Sequence, residues 1–355
     1  MPIATTDIRH SHGMPPLAFH RAQLIRCLFD GLPQQAKSKI LTTKQIVNIE
    51  NSDTGVSVSC NDGTSYDGSI VIGADGAHSL TRRIMHRITT SNFPDLDWDP
   101  AIPFKSEYTC LWFTCPQMAE PGQYIETQSS DRSAIIMTGK EREWVILFEK
   151  HTSQPGDSHR YSPDDVVQFA ANFAELPTSL GQSVGDMFAR RINAGMTDLD
   201  EGIVEHWYSG RMVLVGDACH KMTPNAGIGF NSGVQDAVVL CNNLQQLLKD
   251  SSASNPYADA VTAAFENYQS TREAAARKDV SFSMHLTRIQ AWANLTYRLL
   301  AQWILPYAYV QRLLARYVCS GYSKAEVISY VPADDLFSGS LPWYNTMPLK
   351  EVPHI

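Results

Sequence analysis

Two hydrophobic rhythms divide the chain. Phe19, Leu24, Ile25, Leu28 and Phe29 recur at helical spacing, and Gly31 and Pro33 end that helix. Residues 1–18 before it read as an irregular, Pro-rich lead-in. Residues 44–74 switch to a strand rhythm with three predicted strands: KQIVNIEN, VSVSC and Ser69 to Gly73. Their turns are Ser52-Asp53-Thr54-Gly55 and Asn61-Asp62-Gly63. Residues 96–207 carry alternating segments, YTCLWFTC, QYIETQ, SAIIMTG and EWVILFE, which predict an antiparallel sheet. Helices are expected at Pro163 to Phe173 and Val184 to Arg190, then a strand near Gly202 to Trp207. Met212 to Val215 reads as a buried strand. Long helices follow, one opened by Asn231 and Ser232 and running to Leu248, the other from Ala260 to Ser283. Residues 292–318 are aromatic and apolar, but Arg298, Arg312 and Arg316 interrupt them and Pro306 breaks them. The tail after Ser340 reads as loose.

Composition narrows the class. The 355 residues suit two domains or one large one, and 43% hydrophobic content supplies a sizeable core. A net charge of −8 with no basic tract argues against a nucleic-acid partner. The seven cysteines are scattered, with no CxxC pair, so neither a disulfide framework nor a metal site is expected. The start, MPIATTDIRHSHGMPP, has no apolar core of a signal peptide. An intracellular location on the cytoplasmic side is expected. The 292–318 stretch packs on the body by default. A peripheral membrane association through it is the alternative, since Trp, Tyr and Arg suit an interface.

The chain is organised around Arg211 to Asp236, RMVLVGDACHKMTPNAGIGFNSGVQD. A buried strand ends at Gly216-Asp217, which places a carboxylate at its C-terminal edge, where open α/β sheets bind ligands. Pro224, Gly227 and Gly229 shape the loop that follows. The glycines let a flat ligand approach the backbone. The helix start offers unpaired N–H groups and a positive dipole end. The chemistry suggested is a carboxylate for sugar-type hydroxyls beside a site that stabilises negative charge. A second motif, GADGAHSLTRR, reads as a strand ending in an Asp-Gly turn, with Ser79 capping a helix.

GDACHKMTPNAGIGFNSGVQDA resembles the second flavin motif (GD…H…P…G.G.N) of FAD-dependent monooxygenases with the p-hydroxybenzoate hydroxylase fold. The variant HKMTPN is most similar to the fungal branch that epoxidises prenyl chains of meroterpenoids and indole diterpenes. The resemblance implies that Asp217 binds the ribityl chain, that the loop Pro224 to Gly229 lies over the isoalloxazine, and that Gly229, Phe230 and Asn231 donate N–H groups to its pyrimidine end. Phe230 stands where smaller residues are common. Asp75, Gly76, Ser79 and Arg82 match the family's DG..S..R motif, near the pyrophosphate. Arg21, with Leu24 and Leu28, matches the pattern R..L…L, whose Arg contacts FAD. The implied cycle uses NADPH or NADH to reduce FAD, adds O₂ at flavin C4a and delivers one oxygen to an apolar substrate through the hydroperoxide. His220 would be an acid there or, on the blander reading, a loop histidine bonded to backbone. The resemblance names no catalytic residue in this chain.

The expected fold class is α/β (α+β): a Rossmann-like FAD-binding domain with an inserted antiparallel-sheet substrate domain and C-terminal helices. The boundaries expected are 1–95 and 208–290 for the two parts of the FAD-binding domain, 96–207 for the substrate domain, and 291–355 for the C-terminal segment. No GxGxxG occurs, so the family's first βαβ unit is expected to be missing. Aromatics at 108, 112, 113, 124, 144 and 148 either line an apolar substrate pocket or form sheet core. Two functions compete: an FAD-dependent monooxygenase acting on an apolar isoprenoid or aromatic secondary metabolite, and a truncated non-oxygenase, such as a pseudoenzyme or flavin-independent cyclase, that keeps the fold.

Overall fold

A computed structural model describes residues 2–151, 160–178, 181–250, 257–333 and 337–348. Three sheets organise it. The first joins β1 (Ile46–Asn51), β2 (Val56–Cys60) and β3 (Ser65–Gly68) as an antiparallel meander. The turn after β2 is the expected one, with Gly63 at φ 80°, a left-handed value that glycine adopts without strain. The second sheet sets β4 (Val71–Gly73) parallel to β11 (Met212–Leu214), with β10 (Tyr208–Ser209) antiparallel on its far side. The β4–β11 pair is the only parallel pairing among the described residues. The helix that follows β4, α4 (Leu80–Asn92), is capped by Ser79, whose hydroxyl accepts from the Arg82 N–H.

The third sheet has six strands, in the order β12-β9-β5-β8-β7-β6. Here β5 is Lys105–Pro116, β6 Tyr124–Ser129, β7 Arg132–Thr138, β8 Arg142–Lys150 and β9 Asn193–Ile203. All its pairings are antiparallel, as the alternating segments predict. Its last strand, β12 (His220–Lys221), comes from the organising loop and pairs with Gly202 and Ile203. The sheet is thereby stitched directly to that loop. The strand expected near Gly202 to Trp207 lies earlier, because β9 follows the register set by β5.

Helices cover one face of this sheet. Both α5 (Pro163–Ala171) and α6 (Val184–Ala189) open with a capping box, from Ser162 with Asp165 and from Ser183 with Asp186. They bury Phe169, Phe173, Val184, Met187 and Phe188 against Leu111, Phe113, Val145 and Leu147. A second core joins β4, β10 and β11 to α4, to α7 (Gly229–Asp250) and to α8 (Ala258–Gln290), around Trp207, Val213, Phe265 and Tyr268.

The termini depart from expectation. Residues 2–12 form α1 (Pro2–His12), not an irregular lead-in. It packs on α10 (Ala308–Tyr322), and the tail runs back over it, with Ser340 N–H donating to His10 O and Leu341 N–H to Ser11 O. The described part of the tail, 337–348, is therefore docked, not loose. A short α9 (Leu295–Leu299) and a wide turn (Leu300–Ile304) precede α10, and Pro306 falls in the break, as the sequence predicts. No helix among the described residues is long and apolar enough to cross a membrane, and nothing supports the alternative of a membrane association through residues 292–318. The helix α2 (Arg21–Asp30) forms where the pattern places it, followed by the short α3 (Gln34–Lys37). Yet α2 buries no residue, and Ile25, Leu28 and Phe29 are exposed.

Candidate flavin site at the β11–α7 junction

β11 is apolar and wholly buried, and its chain turns sharply at Gly216, φ 61°. Gly216 lies against Gly233 in the first turns of α7; a Cβ on Gly233 would stand 3.5 Å from the Gly216 Cα. Two glycines thus allow strand end and helix start to meet backbone to backbone. Asp217 sits on the short 3₁₀ turn Gly216–Ala218 with its carboxylate partly open to solvent, 2.6 Å from Lys221 Nζ. It is free to accept hydroxyl donors on its exposed side.

The loop then makes a second 3₁₀ turn, Pro224–Ala226, closed by Gly227 in the left-handed region at φ 66°. A Cβ at Gly227 or Gly229 would meet nothing within 4 Å, so the loop backbone borders open space on that side. Ser232 N–H makes the first bond of α7, to Ile228 O at 2.9 Å. The N–H groups of Gly229, Phe230 and Asn231 therefore have no partner within the helix. Phe230 is 57% exposed and stands clear of the core, and Asn231 is exposed beside it.

A buried charge cluster fixes this junction. The Asp236 carboxylate, fully buried on α7, accepts from Gly216 N–H at 2.8 Å, His220 Nε2 at 2.6 Å and Arg272 Nε at 2.8 Å. Burial pushes the Asp236 carboxyl up, and the His220 bond and the charges of His220 and Arg272 more than offset this, holding it below its ordinary value. Three segments, strand end, loop and α8, are thus tied through one carboxylate. His220 is neither exposed nor bonded to backbone: its Nε2 meets Asp236 and its Nδ1 is buried without a partner. Cys219, His220 and Asp236 bring ligand-type atoms within 4.8 Å of one another, but a short His220–Asp236 hydrogen bond occupies the space between them.

The other sequence-predicted residues fare differently. The Asp75 carboxylate staples its own loop, accepting from Ser79 Oγ at 2.5 Å, Thr81 N–H at 2.9 Å and Thr81 Oγ1 at 3.0 Å. The residue of that motif which reaches the junction is Arg82, whose Nη1 donates to Ala218 O at 2.7 Å. Its guanidinium lies 4.6 Å from the Phe104 ring centroid. Arg21, at the start of α2, is exposed and makes no hydrogen bond or ion pair among the described residues. The structure thus gathers Asp217, Gly229, Phe230 and Asn231 in one place, ties Asp75 up locally and leaves Arg21 apart. The residues present fit the ribityl and ring half of a flavin: a strand-edge carboxylate, a glycine-lined opening and a helix start.

The other face of the six-stranded sheet is joined to the loop through Gln290 and is only partly covered, by the end of α8 near Ala291. Cross-strand pairing puts Glu126, Ile135, Ile146 and Trp112 in one row, and Tyr124, Met137, Trp144 and Thr114 in the next. Trp112 is 45% exposed and Tyr124 38%. Phe113 points the other way, into the helix-covered core. The six aromatics therefore divide: 112, 124 and 144 lie on the open face, 108 and 148 are buried on that side near Ala291, and 113 is core.

Residues 3–283 match the FAD binding domain family. The FAD-dependent monooxygenase ausM of Penicillium brasilianum is 33% identical over 332 residues, covering 92% of this chain and 69% of that protein. The FAD-dependent monooxygenase penE of Penicillium thymicola is 30% identical over 326 residues, covering 90% and 68%. Among solved structures, Klebsiella pneumoniae HpxO complexed with FAD and uric acid superposes with a TM-score of 0.63 at 18% identity, over 87% of this chain and 73% of that one. A salicylate hydroxylase substrate complex gives 0.60 at 19% identity, over 86% and 76%. These two likenesses speak for the fold. With the relatives and the family match, they make this chain a member of the FAD binding domain family, among the fungal FAD-dependent monooxygenases of the p-hydroxybenzoate hydroxylase-like fold.

Proposed function

We propose that the protein oxygenates an apolar isoprenoid or aromatic intermediate of secondary metabolism, by epoxidation or hydroxylation, with FAD as cofactor and NADPH or NADH as electron donor. The observation that carries this reading is the placement of an open aromatic sheet face, Trp112, Trp144 and Tyr124, on the side of the sheet that turns toward the loop Pro224 to Gly229. When bound, FAD supplies the electron transfer from the nicotinamide donor to O₂ that makes one oxygen atom available to the substrate. Asp217 accepts the ribityl hydroxyls and so sets the position of the ring. The N–H groups of Gly229, Phe230 and Asn231, with the positive end of α7, hold negative charge at the ring's pyrimidine end. That effect is worth about 0.3–1 kcal/mol, and up to ~2 kcal/mol when partly buried. Pro224 and Gly227 shape the wall between ring and substrate. The aromatic face binds the apolar skeleton and excludes water. The reading divides the chain at 1–95, 96–207, 208–290 and 291–355, with flavin held by the first and third parts.

The test is a visible spectrum of the purified chain after FAD is added and the excess removed. A retained flavin band, followed by NADPH or NADH oxidation that rises with prenylated phenols or indoles, supports the reading. A folded but colourless protein rejects it.

A further inference from the structure

One carboxylate stands on the open sheet face. Glu126, on the edge strand β6, has Ile135, Ile146 and Trp112 as its row across the sheet. It is held with unusual care for an edge residue. Its Oε2 accepts from Tyr124 Oη at 3.1 Å and from Gln290 Nε2 at 2.9 Å, and its Oε1 accepts from Gln128 Nε2. The holders are themselves held. Gln128 Oε1 accepts from Trp292 Nε1 at 2.9 Å, which fixes which end of the Gln128 amide faces Glu126. Gln290 Oε1 accepts from Asn225 Nδ2 at 2.6 Å, which fixes Gln290 in the same way. Asn225 belongs to the turn Pro224–Ala226 of the flavin loop, and its Oδ1 is buried without a partner. A continuous relay, Asn225–Gln290–Glu126–Tyr124, therefore joins that loop to the face that would receive substrate.

The relay has spare capacity at one place. An ionised carboxylate offers about four acceptor positions. Three are filled, and the fourth is on Oε1. Tyr124 stays a donor, because burial first, and then the Glu126 charge, push its phenol above the ordinary range. A charged acceptor with one position open, in rows made mostly of Trp, Ile, Met and Tyr with Thr114 as their other polar member, selects for a hydrogen-bond donor on an apolar molecule.

We infer that Glu126 is the polar anchor of the substrate site: it accepts a hydrogen bond from a hydroxyl or N–H on an apolar isoprenoid or aromatic substrate, and through Gln290 and Asn225 sets that group against the flavin loop. The inference deepens the function proposed above and rests on it. A structural hub alone would account for the three bonds but not for discrimination between ligands, so discrimination is what is measured.

The probes are 2-geranylphenol and its O-methyl ether, titrated against the full chain while quenching of tryptophan fluorescence is followed, since Trp112 and Trp144 lie on the face. The phenol is expected to bind about tenfold tighter or more, the effect of one hydrogen bond to a charged group. Glu126→Gln should erase or reverse the preference while the ether's affinity holds. Tyr124 and Gln290 both donate to the Oε2 position, so the amide oxygen takes that place and the NH₂ group stands at the Oε1 position, where it loses the Gln128 bond and meets the ligand as a donor. Tyr124→Phe keeps the carboxylate and should keep the preference. Equal binding of both probes by the natural chain, binding of neither, or an unchanged preference in Glu126→Gln overturns the inference. The natural-chain comparison decides even if Glu126→Gln fails to fold. The titrations are run with and without FAD. Discrimination in a chain that retains no flavin keeps the anchor and removes the monooxygenase; retained flavin without discrimination does the reverse.

Discussion

Asp217 and Asp236 lie at either end of one motif and do opposite work. Asp217 is partly open, with Lys221 as its one close cation, and its side chain is available to a ligand. Asp217→Ala is expected to abolish flavin retention with little change in urea midpoint, because exposed substitutions usually cost within about 0.5 kcal/mol. Unchanged flavin content would contradict its assignment. Asp236 is sealed, and its bonds are internal. Arg272→Ala leaves the Asp236 charge buried with one partner fewer, so a loss of about 3–5 kcal/mol is expected in urea unfolding. The Asp236 carboxyl is held below its ordinary value in the folded state. Its contribution is therefore complete above the unfolded value, near pH 4, and is lost as pH falls through the lower folded value. Unfolding midpoints measured from pH 5 downward should fall less steeply in Asp236→Asn than in the natural chain.

At the scale of elements, the ends of the chain form a clamp. α1 lies on α10, and His12 is buried between them, its Nε2 3.1 Å from Cys319 O and its ring 4.7 Å from that of Trp343. Burial lowers the His12 pKa, partly countered by the Cys319 carbonyl. A histidine kept neutral in this way stabilises fully above its unfolded value of about 6.5, and the stabilisation is lost as pH falls through the lower folded value. Relative to the intrinsic amide rate at each pH, hydrogen exchange of α1 and α10 should therefore accelerate between pH 7 and pH 5, with other elements changing less. A His12→Phe variant should show no such acceleration. Equal acceleration in both proteins would remove His12 as the cause.

Across the whole molecule, the cores are well filled around β11 and within the six-stranded sheet, but the region of α2 is not. Leu17, Phe19, Ile25, Leu28 and Phe29 are exposed together, and Ile72 on β4 is 46% exposed in a strand type that is ordinarily covered on both faces. Such a surface is expected to bind apolar dyes and to associate with itself. The double change Ile25→Glu and Leu28→Glu is expected to cut dye fluorescence severalfold and to lower self-association in sedimentation, with the melting temperature moving by no more than about 2 °C. A severalfold loss of stability instead would show that the α2 face is packed in solution.

The sequence by itself determined the local matters. The strand into Gly216, the glycines at 227 and 229, the helix after them and the alternating strands of residues 105–150 follow from residue periodicity and backbone freedom, which act over a few positions. The flavin motif was legible because its spacing is local: Asp217 and Gly229 to Asn231 lie within one stretch. What joins distant positions was not legible. Nothing in KMTPNAG says that Asn225 meets Gln290, or that Gln290 meets Glu126, 164 positions away in the chain. In an alternating strand, Glu126 reads as a solvent-facing residue. Asp236 and Arg272 read as ordinary helix charges until packing removes water from both. Arg21 and Asp75 fit their motifs by spacing, yet the fold leaves one exposed and turns the other upon its own loop. α1 forms where the lead-in reads as irregular, because α10 and the tail supply the packing that its own residues lack. Burial and long-range hydrogen bonding are properties of the folded surface, and only the tertiary structure assigns them.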